Sequence, residues 1–194
     1  MPDTVENKGG GSRAWLKALL AGMGGLVLMA LLLFGGLVWL LRSSLSRGES
    51  GLAPKGQDVS AVAYLDASGA RHTLAEEKGR VVVVDLWATW CPPCLKTLPG
   101  LAKLAAAGGQ DFAVIPISVD NDGFSAVAPF LQRRPDLAAL PGLVPDGVKG
   151  LAPLGTAEAI PTTFLVGRDG KVLDAWSGVD EARLEAGLKR ALGR

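Results

Sequence analysis

The chain has 194 residues, with 20 Lys and Arg against 19 Asp and Glu and a net charge of +1. That length holds one domain of ordinary size plus a shorter piece, and the balanced charge supplies no footprint for nucleic acid or for an acidic partner. Two Cys and one His fall short of the four Cys/His-type ligands that a structural zinc site needs, so no metal site is expected.

Residues 1–17 form a short N-terminal segment. Residues 18–41 then run without charge or proline and are rich in Leu, Val, Gly and Ala. At 1.5 Å per residue such a run spans about 36 Å, enough to cross a hydrocarbon core of about 30 Å. It exceeds the apolar region of about 7–15 residues of a cleavable signal peptide, and Trp39-Leu40-Leu41-Arg42-Ser43-Ser44 is a poor cleavage site. A retained anchor in the lipid bilayer is therefore expected. Lys8, Arg13 and Lys17 precede the run while Arg42, Arg47 and Lys55 follow it, so charge bias does not choose a topology. Residues 42–57, rich in Ser, Gly and basic side chains and without periodicity, read as a flexible tether. Residues 59–65 and 70–74, joined by Asp66-Ala67-Ser68-Gly69, predict a β-hairpin.

The β-branched run Val81-Val82-Val83-Val84, continued by Asp85-Leu86-Trp87, predicts a strand buried on both faces. Trp90-Cys91-Pro92-Pro93-Cys94 holds both cysteines of the chain. Two thiols at this spacing can exchange a disulfide with a substrate, supply half a zinc site, or make a staple. Zinc lacks ligands here, and a staple closing so short a loop constrains little chain entropy, which leaves redox chemistry. Leu95, Leu98, Ala102 and Ala105 recur at helical spacing, so Cys91 stands where a strand hands over to a helix N-terminus. Pro92 and Pro93 suit the first turn, whose amides have no internal partner. A thiolate there faces free N–H groups and the positive end of the helix dipole, which lowers a Cys pKa from about 8.5 toward roughly 3.5–7.5. Cys91 is thus expected to be the nucleophile and Cys94, one turn inside, the resolving thiol. Pro99 should kink the helix.

Residues 112–119 predict a second core strand, 120–123 a loop, and 124–133 a helix ended near Pro135. Residues 135–157, with several Pro and Gly, carry no assignable element. Residues 167–170 turn between strands at 162–166 and 171–176. Asp180 is a plausible N-cap for a last helix in which Leu184, Leu188 and Leu192 recur every four residues. Strands interleaved with helices make an α/β domain over residues 58–194.

The segment from Val84 to Cys94, with Pro99 beyond it, resembles the active-site segment of the thioredoxin superfamily. Ile160-Pro161-Thr162-Thr163-Phe164-Leu165-Val166 resembles its cis-proline loop and the strand that follows. The spacing between Cys91 and Pro161 matches the membrane-tethered TlpA/ResA-like branch, which carries an insertion there. The resemblance implies a thioredoxin fold with an N-terminal β-hairpin extension and a central insertion, preceded by one transmembrane helix. It also implies a cytoplasmic N-terminus and an extracytoplasmic domain, an arrangement that keeps an exported dithiol protein near its electron donor. Pro161 would lie against the Cys91–Cys94 disulfide, the Ile160 backbone would pair with bound substrate, and Trp90 and Pro92 would border the substrate surface. Trp87 would pack under the site.

Asp85 is expected to be buried, where an ionised carboxylate is expensive. It either makes a structural hydrogen bond or, with a raised pKa, takes the proton of Cys94; its place six residues before Cys91 matches the buried acid of thioredoxins. The lysine partner usual there has no counterpart in residues 112–119, and Thr97 stands where that branch often has Glu. Glu158 reads as a solvated loop carboxylate close to the site, and His72 as a surface residue without companions. The expectation is a protein-disulfide reductase without cofactor, taking electrons from a thiol-reducing membrane donor and serving apocytochrome c or copper-site assembly. Two other functions fit the same cysteines: a disulfide-forming oxidant, and a Cu(I) delivery module.

Overall fold

Four consecutive valines make Val81–Trp87 the middle of the domain, since every side chain of this strand is buried. The period-two alternation of a strand divides them between two cores. Val81, Val83 and Trp87 pack with Leu98, Leu101, Leu184 and Leu188, whereas Val82, Val84 and Leu86 pack with Val62, Tyr64, Ile117 and Phe164. Asp85 has the parity of the first group, so its carboxyl lies among the helices.

The computed structural model describes Met29, residues 31–36 and residues 51–193. In chain order the elements of the domain are β1 (Ala63–Leu65), β2 (Arg71–Thr73), β3 (Val81–Trp87), α1 (Pro92–Gly108), β4 (Phe112–Ser118), α2 (Phe124–Gln132), β5 (Val144–Pro145), β6 (Thr162–Val166), β7 (Val172–Ser177) and α3 (Glu181–Leu192). The main sheet has the order β4-β3-β6-β7. β3 runs parallel to β4 and antiparallel to β6, and β7 is antiparallel to β6. This is the mixed α/β thioredoxin fold. A second sheet, β2-β1-β5, covers the other core.

Met29 and residues 31–36 are helical and their side chains exposed. Among the described residues no helix is long and apolar enough to cross a membrane. The segment 1–17, the rest of the expected span 18–41 and the first part of the tether lie outside the described residues.

Four expectations are corrected within the domain. The tether does not extend to residue 57: Ala53 is buried, its N–H donates to the Leu154 carbonyl, and Gly56 and Gln57 exchange backbone bonds with Val172. Composition reads as linker, but these backbone groups find partners on distant segments. The hairpin is shorter than its apolar pattern, because residues 74–77 form a 3-10 turn. The insertion carries structure of its own, two 3-10 turns at Pro135–Leu137 and Ala152–Leu154 and the short β5, which pairs with β1. Finally, His72 has companions, Glu76 at 2.9 Å from the 3-10 turn that follows β2 and Asp66 at 3.1 Å from the turn that precedes it. The Glu76 bond, reinforced by Asp66, pushes its pKa up. Pro99 sits inside α1, which continues through it to Gly108.

Candidate active site

Cys91 is the N-cap of α1, with extended backbone, and Pro92 and Pro93 follow as the first helical residues. Neither proline has an N–H, so Cys94 supplies the first amide of the helix. That amide donates to Cys91 Sγ at 3.2 Å. The sulfur therefore receives the bond that an N-cap oxygen would ordinarily accept. Cys91 and Cys94 form a disulfide with Cα atoms 5.3 Å apart. The Cys91 N–H closes a turn onto the Ala88 carbonyl at 3.2 Å.

A chain segment 69 residues away completes the site. Ile160–Pro161 is a cis peptide bond, and the Ile160 carbonyl oxygen lies 3.7 Å from Cys91 Sγ. The Gly178 N–H holds the Pro161 carbonyl at 2.7 Å, tying this loop to the end of β7. Around the disulfide, Cys91 is only 3% exposed while Trp90 is 65% exposed. Pro92 and Pro93 are also exposed, Ile160 is half-buried and Pro161 is buried. Trp87 is fully buried beneath and packs against Phe130 with ring centroids 5.6 Å apart. Glu158 is exposed.

Asp85 is buried, 2% exposed. Its strand neighbours are Pro116 on β4 and Thr163 on β6. Thr163 Oγ1 donates to Asp85 Oδ2 at 2.8 Å, and Oδ1 is buried without a protein partner. Burial pushes the carboxyl up to about 7, and the Thr163 bond pulls weakly the other way. Asp85 also forms part of the floor of a groove of about 600 Å³ between α1 and α3, where Thr97, Leu101, Pro161, Trp176 and Leu184 line the walls. Thr97 spends its hydroxyl on the Cys94 carbonyl, at 2.9 Å. The Cys91–Cys94 disulfide and the Ile160 carbonyl thus lie together, with Trp90 and Pro92 next to Cys91 in the chain, while Asp85 lines the groove with Thr97 and Pro161. Thr163 is the residue that sequence reasoning missed. It belongs to the Ile160–Val166 segment, but only the β3–β6 register shows that it faces Asp85.

Chemically, the site offers a disulfide whose Cys91 sulfur is held by a helix amide, and a buried carboxyl group whose pKa is raised toward neutrality. The Redoxin family model matches residues 52–192. The chain is 26% identical over 163 residues to the thioredoxin-like protein YneN of Bacillus subtilis strain 168, spanning 84% of this chain and 91% of that one. It is 28% identical over 136 residues to the thiol-disulfide oxidoreductase ResA of Bacillus thuringiensis subsp. konkukian, spanning 70% and 77%. Among solved structures it is similar to a Chlorobium tepidum protein solved under the name thiol:disulfide interchange protein DsbE. The TM-score is 0.55 at 30% identity, covering 72% of this chain and 99% of that one.

Proposed function

Starting from a chain that belongs to the Redoxin family and is a TlpA/ResA-like thiol–disulfide oxidoreductase of the thioredoxin superfamily, we propose that it works as an extracytoplasmic protein-disulfide reductase. The observation that carries this reading is the Cys91 sulfur capped by the Cys94 amide at the start of α1, beside the Ile160 carbonyl. In the dithiol form the Cys91 thiolate attacks one sulfur of a partner disulfide. A Cys91–partner bond forms, the partner's S–S bond breaks, and its other sulfur leaves as thiolate. Cys94 then attacks Cys91 Sγ, its proton passing toward Asp85, and the partner's remaining sulfur leaves as a thiolate that is protonated from solvent. The partner gains two electrons and the Cys91–Cys94 disulfide closes.

Trp90, Pro92, Ile160 and Pro161 form the surface on which the partner lies in this reading. A thiol-reducing donor in the membrane restores the dithiol, and residues 18–41 hold the domain beside it. The disulfide of an apocytochrome c before haem attachment, or of a copper-site protein, is the substrate. Pro92 and Pro93 add neither charge nor imidazole to stabilise the thiolate further, and a less stabilised thiolate makes a more reducing couple.

Cys94→Ala in the full chain tests the reading. It should freeze mixed disulfides through Cys91, and the captured proteins name the substrates, whereas Cys91→Ser with Cys94 intact should capture far less; equal or greater capture by Cys91→Ser removes Cys91 as the nucleophile. Equilibration of the wild type with dithiothreitol or glutathione should place the potential nearer about −270 mV than about −120 mV, and a value above about −150 mV makes the chain an oxidant. A reporter active only after export, fused behind Arg194, should be active; activity confined to the cytosol reverses the topology.

A further inference from the structure

The turn that leads into Cys91 is gripped by a carboxylate from another strand. Asp120, just beyond β4, is 8% exposed. Its Oδ2 accepts from the Thr89 N–H at 2.9 Å and from Ser118 Oγ at 2.6 Å, and its Oδ1 accepts from Thr89 Oγ1 at 2.7 Å. Its own N–H donates to Ser118 Oγ at 3.1 Å. The backbone ladder ends just before this point, with the Val119 N–H on the Trp87 carbonyl at 2.8 Å. Asp120 extends the connection by side chain. Because it takes both the main-chain N–H and the hydroxyl of one residue, it sets the orientation of that peptide as well as its place.

The next residue is Trp90, the large apolar side chain left exposed beside the disulfide. The turn spans residues 88–91, closed at its far end by the Cys91 N–H on the Ala88 carbonyl. The cap on Cys91 Sγ, by contrast, comes from Cys94, and the Ile160–Pro161 loop is tied to Gly178. Neither passes through Asp120. The grip therefore bears on where Trp90 stands, and leaves the sulfur's own partners alone.

We propose that Asp120 is a positioning residue for macromolecular substrates: through Thr89 it holds the 88–91 turn so that Trp90 forms a platform for the incoming protein chain next to Cys91. This rests on the reading that the substrate is a protein. A small disulfide needs only access to Cys91 Sγ and does not depend on the platform.

The test compares full-length wild type, Asp120→Ala, Thr89→Val and the double variant in reducing insulin and 5,5′-dithiobis(2-nitrobenzoate). Asp120→Ala should lower kcat/KM for insulin by about tenfold or more, chiefly through KM, since small displacements near a reacting group cost this much. Its rate with the small disulfide should stay near wild type. Thr89→Val, which keeps the shape and the backbone bond but removes the hydroxyl bond, should show the same split more weakly. The double variant should be no worse than Asp120→Ala, because the two side chains form one interaction. Equal losses on both disulfides, no loss on either, or full additivity overturns the proposal. If Asp120→Ala does not fold by circular dichroism, the split in Thr89→Val decides. Failure of the wild type to reduce insulin refutes the protein-substrate reading instead.

Discussion

Asp85 differs from the other buried acid of the sheet in what surrounds it. Asp174 receives Arg183 at 2.9 Å and Lys55 at 3.4 Å, and the Arg183 hydrogen bond leads in holding its carboxyl down at about 2. Asp85 has no cation, only the Thr163 hydroxyl, so desolvation wins and its pKa rises to about 7. The two act on stability with opposite signs. A raised carboxyl binds its proton more tightly folded than unfolded, so its contribution is complete below about pH 4 and is lost as pH climbs through about 7. The amplitude is roughly 4 kcal/mol at about 1.4 kcal/mol per pKa unit. Asp174 contributes above about pH 4 and loses it only as pH falls toward 2. Urea unfolding of the oxidised protein between pH 4.5 and 8 should therefore show a decline in the wild type that Asp85→Asn removes. Identical profiles in the two proteins would mean that Asp85 ionises normally. The same substitution should slow resolution by Cys94 near neutral pH in single-turnover experiments, if Asp85 is the proton acceptor.

At the scale of the element, α1 makes its N-terminus into the thiol's environment. Prolines at its first two positions preset the backbone, and their missing donors leave the Cys94 amide as the helix's first N–H on the sulfur. Pro93→Ala restores one donor at the second position, where an N-cap acceptor can also be reached. The reduced variant should therefore have a lower Cys91 pKa, followed by thiolate absorbance near 240 nm, and a less negative potential in glutathione buffers. An unchanged pKa would show that the helix amides contribute little beyond Cys94. At the other wall of the groove, α3 is set by its own chemistry: Asp180 caps it by accepting from the Arg183 N–H at 2.9 Å. The Arg183 guanidinium lies 4.9 Å from the Trp176 ring centre while pairing with Asp174. These contacts hold the wall opposite Thr97 and Leu101, and with it the access to Asp85.

For the molecule as a whole, residues 51–57 belong to the domain. Leu52 bridges to Gly155 and Asp58 to Lys171, and Gln57 Nε2 donates to the Pro153 carbonyl at 2.8 Å. Gly155 permits the first bridge, since its φ of +79° and the closeness of the Gly51 carbonyl leave no room for a Cβ. A fragment starting at residue 51 should unfold cooperatively. One starting at residue 59 loses several of these bonds and should be less stable by at least about 2 kcal/mol, at a net 0.5–1.5 kcal/mol per bond. Equal denaturant midpoints would return residues 51–57 to the role of a tether. What the sequence determined by itself was local: a valine-rich run becomes the central strand, two prolines start a helix, and a cysteine pair brackets those prolines. Those features depend on neighbours a few residues apart, through periodicity and the donors missing from a first helical turn. The cis-proline loop was legible only through family resemblance. The tertiary structure alone decided the rest, and each case is a pairing of distant segments. Thr163 faces Asp85 across 78 residues, β5 joins the hairpin from inside an unreadable insertion, and Asp120 grips Thr89 across 31. Strand register and burial select such partners, and neither is encoded in the spacing of residues along a single segment.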